Sequence, residues 1–237
     1  MATPQLRDYT SVPFEIFIAV FTILPFFLLA YFYPVLSDRV PLFMHLNGEV
    51  AEWAGKNVMT VFRVPLLALV TQVFCLLMKY GTIQSGAASP FVVETEQAKL
   101  YEQSLNVNAA LWDWFRWTVA FKMMGESVNT ITLSLDLKWF SRMIFILTAI
   151  AALVGVAGAL FYGYQLLVLK RRMKQRFGEL QLGRRTDATH VYGGFLYFNS
   201  SDSALFVDKY LFNFGNKWVW IFIACIIAYP LLVFAPG

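Results

Sequence analysis

The chain has 237 residues, of which 58% are hydrophobic and 14% charged, with a mean hydropathy of +0.57. These values exclude an ordinary soluble domain and point to a membrane protein whose length suits one compact helical bundle. The net charge of +4 is unevenly spread: nine of the 19 Lys and Arg residues fall between Lys170 and Lys217, flanking apolar runs, which points to an anionic lipid surface rather than to nucleic acid.

Four apolar stretches, Pro13–Leu36, Val58–Tyr80, Phe140–Leu169 and Trp218–Phe234, are long enough to cross a hydrocarbon layer of about 30 Å. Hydrocarbon offers no water to backbone N–H and C=O groups, so each crossing is expected to be an α-helix. The first stretch is too long for a secretory core and lacks a small-x-small cleavage site, so it reads as a retained anchor. Pro25, Pro65 and Pro230 are expected to kink their helices unless neighbours satisfy the freed carbonyls. Cys75 and Cys225 fall inside apolar runs and read as packing residues rather than a disulfide.

A fifth segment, Ala109–Leu135, carries Asp113, Arg116, Lys122 and Glu126. Its charges do not gather on one helical face, as an interfacial helix would require. They do fall at pairing distance, Asp113 with Arg116 at i+3 and Lys122 with Glu126 at i+4, which lowers the cost of crossing. Five crossings also place the basic run Lys170, Arg171, Arg172, Lys174 and Arg176 and the N-terminus together on the cytoplasmic side. The expected fold is an all-α integral membrane protein, a five-helix transmembrane bundle; the alternative is four spans plus one interfacial helix. Residues 1–169 would hold spans one to four with an outer loop at 37–57. Residues 170–216 would form a basic cytoplasmic segment and a turn-rich aromatic module, with anionic lipids at Lys170–Arg185. Residues 217–237 would form the last helix and end outside.

In the fourth span Ala151, Gly155, Ala159 and Gly163 recur every four residues, a stripe that lets a neighbouring backbone approach closely. Trp112, Trp114, Trp117, Trp139, Trp218 and Trp220 lie at or near span ends and read as interfacial anchors.

The outer loop holds Pro41, His45, Asn47, Gly48, Glu49, Trp53 and Lys56. One His without a Cys or a nearby second His is a poor metal set, and no metal or other cofactor is expected. Asn47-Gly48 suits a tight turn. Lys56 is placed to cap the following helix end or meet a headgroup. The order and spacing of Pro41, Gly48, Trp53 and Lys56 resemble the first loop of a bacterial membrane family. That family includes the immunity protein against the sporulation-delaying toxin. The family's His, Phe and Asn fall on Phe43, Met44 and His45 here, and its acidic position on Ala51. A second resemblance lies at Tyr197-Phe198-Asn199, Asp202, Phe206-Val207, Lys209 and Asn213-Phe214-Gly215-Asn216, which is similar to a small module following the spans in relatives of that family; the part between Lys209 and Asn213 is shortened. Read from its residues, this stretch is a hairpin, Phe195–Phe198 against Ala204–Val207, with Asn199 and Asp202 as turn formers.

The sequence carries no nucleophile–base set, phosphate loop, CxxC or HExxH. The resemblance implies a toxin-immunity or signalling protein of the bacterial inner membrane that recognises a peptide or protein and is not an enzyme. The alternative from the residues is an accessory subunit of a larger membrane complex.

Overall fold

A computed structural model describes residues 6–44, 49–87, 95–177, 191–192, 196–200, 205–208 and 211–234. Five α-helices dominate: α1 (Val12–Phe32), α2 (Val58–Ala87), α3 (Thr95–Ser134), α4 (Lys138–Phe177) and α5 (Lys217–Phe234). Three two-stranded antiparallel pairs accompany them: β1 (Arg39–Met44) with β2 (Val50–Gly55), β3 (Val191–Tyr192) with β4 (Leu196–Tyr197), and β5 (Phe206–Asp208) with β6 (Leu211–Phe212).

Among the described residues three helical stretches are long and apolar enough to cross a membrane: Val12–Val35, Val58–Gln84 and Lys138–Phe177. The apolar part of α5, Lys217–Val233, is shorter. The expected fifth span proves to be the downstream part of a 40-residue helix that starts at Thr95, fourteen residues before Ala109. Its charged and amide side chains keep it below the hydropathy of the other three. Helix α4 also has 40 residues, about 60 Å at 1.5 Å per residue, so Lys170–Arg176 ride on a helical extension beyond the apolar run.

The chain divides into two compact units, each with contributions from α2, α3, α4 and α5. The first comprises Met1–Ser11, Val73–Trp114 and Gly158–Ile226; the second comprises Val12–Gln72, Phe115–Ala157 and Ile227–Gly237.

In the second unit α1 buries Ile18, Thr22, Pro25 and Leu29, spaced four, three and four, so one helical stripe faces inward. Leu29, Leu36, Val40, Val61 and Ile131 form an apolar core against which Leu28, Phe32, Tyr33 and Phe62 pack. Helices α3 and α4 run antiparallel around a tight turn. Asp136 adopts φ 56°, Asp136 N–H donates to the Leu133 carbonyl (3.1 Å) and Leu137 N–H to the Thr132 carbonyl (2.8 Å). This is a left-handed helix cap in which Asp stands where Gly is commonest. The Asn129 side-chain oxygen accepts from the Ser141 hydroxyl across the same turn. Farther along, a Cβ on Gly125 would strike Thr148 and one on Gly155 would strike Thr118, so the two helices touch backbone to side chain at both levels.

In the first unit the same two helices meet at Gly158, where a Cβ would strike the Trp114 indole, and at the ion pair of Arg176 with Glu96. The close-packed positions on α4 are therefore Ala151, Gly155 and Gly158, spaced four and three. Of the expected four-residue stripe, Ala151 and Gly155 are buried and Ala159 is half-buried. A Cβ on Gly163 would meet nothing within 4 Å among the described residues, because a strict period of four drifts off the contact face of a helix with 3.6 residues per turn.

Candidate functional site

The β1–β2 hairpin is bound to the second unit at its base. Val40 is 1% exposed in the core, and β1 pairs with β2 through Val40–Ala54 and Pro41–Trp53. Lys56 N–H donates to the Asp38 carbonyl (2.8 Å), and Lys56 Nζ donates to the Leu36 carbonyl (2.8 Å) while lying 5.6 Å from the Tyr33 ring centroid. The expected capping of the next helix by Lys56 is thus corrected: its ammonium satisfies a carbonyl just past α1. The next helix is capped by Asn57 and Thr60 instead. Thr60 N–H donates to Asn57 Oδ1 (2.9 Å) and Asn57 N–H to Thr60 Oγ1 (3.0 Å), a reciprocal box. The Thr60 hydroxyl donates to the Gly55 carbonyl (2.9 Å), tying strand to helix. On this base Ala51, Glu52 and Trp53 are exposed, the indole at 46%, and Glu49 is exposed beside them. His45, Asn47 and Gly48 lie outside the described residues.

Two sets of charges lie on the helices. In the second unit Arg116, 3% exposed, donates from Nη1 and Nη2 to the two carboxylate oxygens of Glu15 (2.7 and 2.6 Å). Its Nε donates to Gln72 Oε1 (3.3 Å), the Gln72 amide donates to the Arg116 carbonyl (2.7 Å), and the guanidinium sits 5.8 Å from the Phe14 ring centroid. This fork geometry satisfies most of the five guanidinium donors of a buried charge. Also in this unit, Arg63 donates to the Leu232 carbonyl (2.6 Å), one of the carbonyls left open at the end of α5. In the first unit Lys79, 0% exposed, donates to both oxygens of Asp113 (2.9 and 2.7 Å). Asp113 and Arg116, expected to pair with each other, are held by partners on α2 and α1. A buried charge is best served by a partner on a facing helix, which also binds the helices together. Lys122 and Glu126 do pair within α3, at 2.5 Å.

The signal for the missed partners was in the sequence. Glu15, Gln72 and Lys79 are isolated polar residues within or beside apolar runs, and Gln72 and Lys79 share a helical face at a spacing of seven. Near the other end of α3, burial and the neighbouring Tyr9 push the Tyr101 phenol up to about 12. Asn108 Oδ1 is buried and without a partner among the described residues.

In the aromatic module Asn213 is 0% exposed and acts as a hub. Its Oδ1 accepts from Asn199 N–H (3.0 Å) and Gly215 N–H (3.1 Å), and its Nδ2 donates to the Asn199 carbonyl (3.0 Å). A Cβ on Gly215 would lie 2.5 Å from the Asn199 carbonyl carbon, so only glycine fits. Asn216 Oδ1 accepts from Trp218 N–H (3.0 Å) and caps α5. The expected single hairpin is corrected. Two short hairpins form, joined by a parallel bridge from buried Tyr197 to Asn213, because the Asn213 amide saturates the backbone of Asn199. Asp202 and Lys209 lie outside the described residues.

The indoles of α3 are packed rather than displayed: Trp114 against Tyr162, and Trp117 against Phe121. Trp139 (77%), Trp218 (41%) and Trp220 (56%) are exposed. Both cysteines are buried. No group of three potential metal-ligating His, Cys, Asp or Glu side chains occurs among the described residues. No protein-family model, curated protein or solved structure matches this chain.

Proposed function

We propose that this chain is a non-enzymatic, multi-pass protein of the bacterial cytoplasmic membrane that recognises a peptide or protein through its β1–β2 hairpin. Its nearest functional likeness is the toxin-immunity and signalling family that the loop resembles. In this reading the N-terminus and Lys170–Arg176 are cytoplasmic, with the basic helix end against anionic headgroups. The hairpin and Gly237 lie outside. The supporting observation is the hairpin's construction: a base clamped by Val40, Lys56 and Thr60, carrying a half-exposed Trp53. A preorganised aromatic on a rigid mount loses little entropy on binding and suits recognition by shape.

The test is protection. Cells sensitive to a secreted membrane-active peptide should survive it when they express the wild-type chain and die when they express Trp53→Ala. The Trp53→Ala protein should reach the membrane in wild-type amounts with its melting temperature within a few degrees. Equal protection by both proteins rejects the hairpin as the recognition element. A second reading, an accessory subunit of a larger membrane assembly, is favoured by one feature, the half-exposed Lys122–Glu126 pair. A stoichiometric complex with other proteins after extraction in mild detergent would support that reading.

A further inference from the structure

The register of the β1–β2 hairpin separates its two faces. Val40 and Ala54 pair with each other and are buried, so they face the second unit. Arg39 pairs with Gly55 and Pro41 with Trp53, so these four residues share the opposite, outward face. There Arg39, Gly55 and Trp53 are exposed and Pro41 is half-buried. A Cβ on Gly55 would meet nothing within 4 Å among the described residues. Gly55 is thus the floor of a shallow notch, bounded along the strand by the Trp53 indole and across it by Arg39. The Arg39 guanidinium carries five donors, and among the described residues none of them has a partner.

The base of the hairpin sits at the ends of two apolar stretches, Val12–Val35 and Val58–Gln84. Arg39 lies four residues past the first and Gly55 three before the second. Lys56 closes this base on α1 through the Asp38 and Leu36 carbonyls. Around it Val35 (57% exposed), Val58 (66%) and Met59 (49%) display apolar surface. On the membrane reading above, that surface meets acyl chains, and the layer just beyond it, about 5–8 Å deep, is headgroups. A guanidinium with open donors at that level meets lipid phosphate, and an indole beside it has the amphipathic character of an interfacial residue.

We propose that the Arg39–Gly55 notch binds the headgroup of an anionic phospholipid in the leaflet on the hairpin's side. Arg39 donates two parallel N–H bonds to the phosphate oxygens, Gly55 lets the headgroup approach the strand, and Trp53 packs on the glycerol. A single cation with open donors selects a headgroup of net negative charge over a zwitterionic one, whose own ammonium competes for the phosphate. The site goes beyond peptide recognition and rests only on the membrane reading of α1 and α2.

Photocrosslinking tests this on the full chain, reconstituted in phosphatidylcholine vesicles with a small fraction of phosphatidylglycerol bearing a diazirine on its headgroup. The wild type should crosslink within residues 38–56 and, separately, at the basic end of α4 within residues 170–176. Unlabelled phosphatidylglycerol should compete at the hairpin, and added phosphatidylcholine or inorganic phosphate should not. Arg39→Gln should lower the hairpin crosslink about tenfold, the loss of a charge-assisted contact. Gly55→Leu has room for its side chain but fills the notch, and should lower the crosslink as well, while Arg39→Lys should keep most of it. In all three variants the crosslink within 170–176 should match the wild type, as it must in a chain that is folded and inserted. A hairpin crosslink that Arg39→Gln leaves unchanged overturns the proposal, and so does equal competition by phosphatidylcholine. Competition by inorganic phosphate overturns it in favour of a soluble anion. Crosslinks confined to 170–176 overturn it and leave the membrane reading standing. A chain that does not float with the vesicles overturns the membrane reading and this proposal with it.

Discussion

Each buried charge on α3 has been matched to a group on another helix, and the matching is unforgiving. Lys79 is wholly buried against Asp113. Removing one member strands the other, which costs about 3–5 kcal/mol, whereas replacing both with apolar residues of similar volume is often neutral. Lys79→Met is therefore expected to lower the melting temperature sharply, and Lys79→Met/Asp113→Leu to recover most of the loss. Thermal unfolding of the detergent-solubilised variants measures this. A double variant no better than the single one would mean that the pair does not act as a unit. At the α3–α4 turn the effect is smaller and opposite in sign. Asp136 holds φ 56°, a region that costs non-glycine residues roughly 1–2 kcal/mol, less for Asp. Its pair with Lys138 is exposed and contributes little. Asp136→Gly should accordingly raise stability by up to about 1 kcal/mol, and Asp136→Val should lower it.

At the level of elements, α4 docks on α3 through absent side chains. Gly155 and Gly158 leave room for Thr118 and Trp114, while a Cβ on Gly163 would meet nothing among the described residues. Leu at position 155 must push the helices apart, an overpacking cost of roughly 1–3 kcal/mol. Leu at position 163 should be tolerated. Melting temperatures of the two variants decide the matter; equal losses would show that the stripe works by period rather than by contact. The module before α5 follows the same economy of space. Gly215 makes room for the Asn199 backbone, Asn213 binds it, and Asn216 caps the helix that follows. With Phe214 N–H donating to the Tyr197 carbonyl, all four residues of the Asn-Phe-Gly-Asn run have structural duties.

For the whole molecule, the proposed orientation turns on the basic end of α4. Lys170, Arg171, Arg172, Lys174 and Arg176 are exposed on the helix surface, Arg176 beside its partner Glu96, and in the proposed orientation this end faces a cytoplasmic leaflet. Inside the protein, Lys79 is held by Asp113 and Arg63 by the Leu232 carbonyl. The late basic cluster does not depend on them. In a background lacking Cys75 and Cys225, Glu52→Cys should react with an impermeant maleimide on intact cells. Gln175→Cys should react only after permeabilisation. The reverse pattern would invert the chain in the membrane.

What the sequence determined by itself was everything that depends on local composition and period. The apolar runs placed four of the helices, because burial of apolar surface follows a pattern only tens of residues long. The i,i+4 pair of Lys122 with Glu126 was legible because helix geometry alone brings those side chains together. The turn chemistry of Asn199 and Asp202 marked a turn-rich module, read as a single hairpin. Only the tertiary structure could decide which element meets which. Arg116 selects Glu15 from 101 residues away and Lys79 selects Asp113 from 34, because a buried charge takes whichever opposite charge the packing brings within reach. The close approaches at Gly155 and Gly158 have the same reason: contact follows the 3.6-residue period against a real neighbour, and only the neighbour fixes its phase.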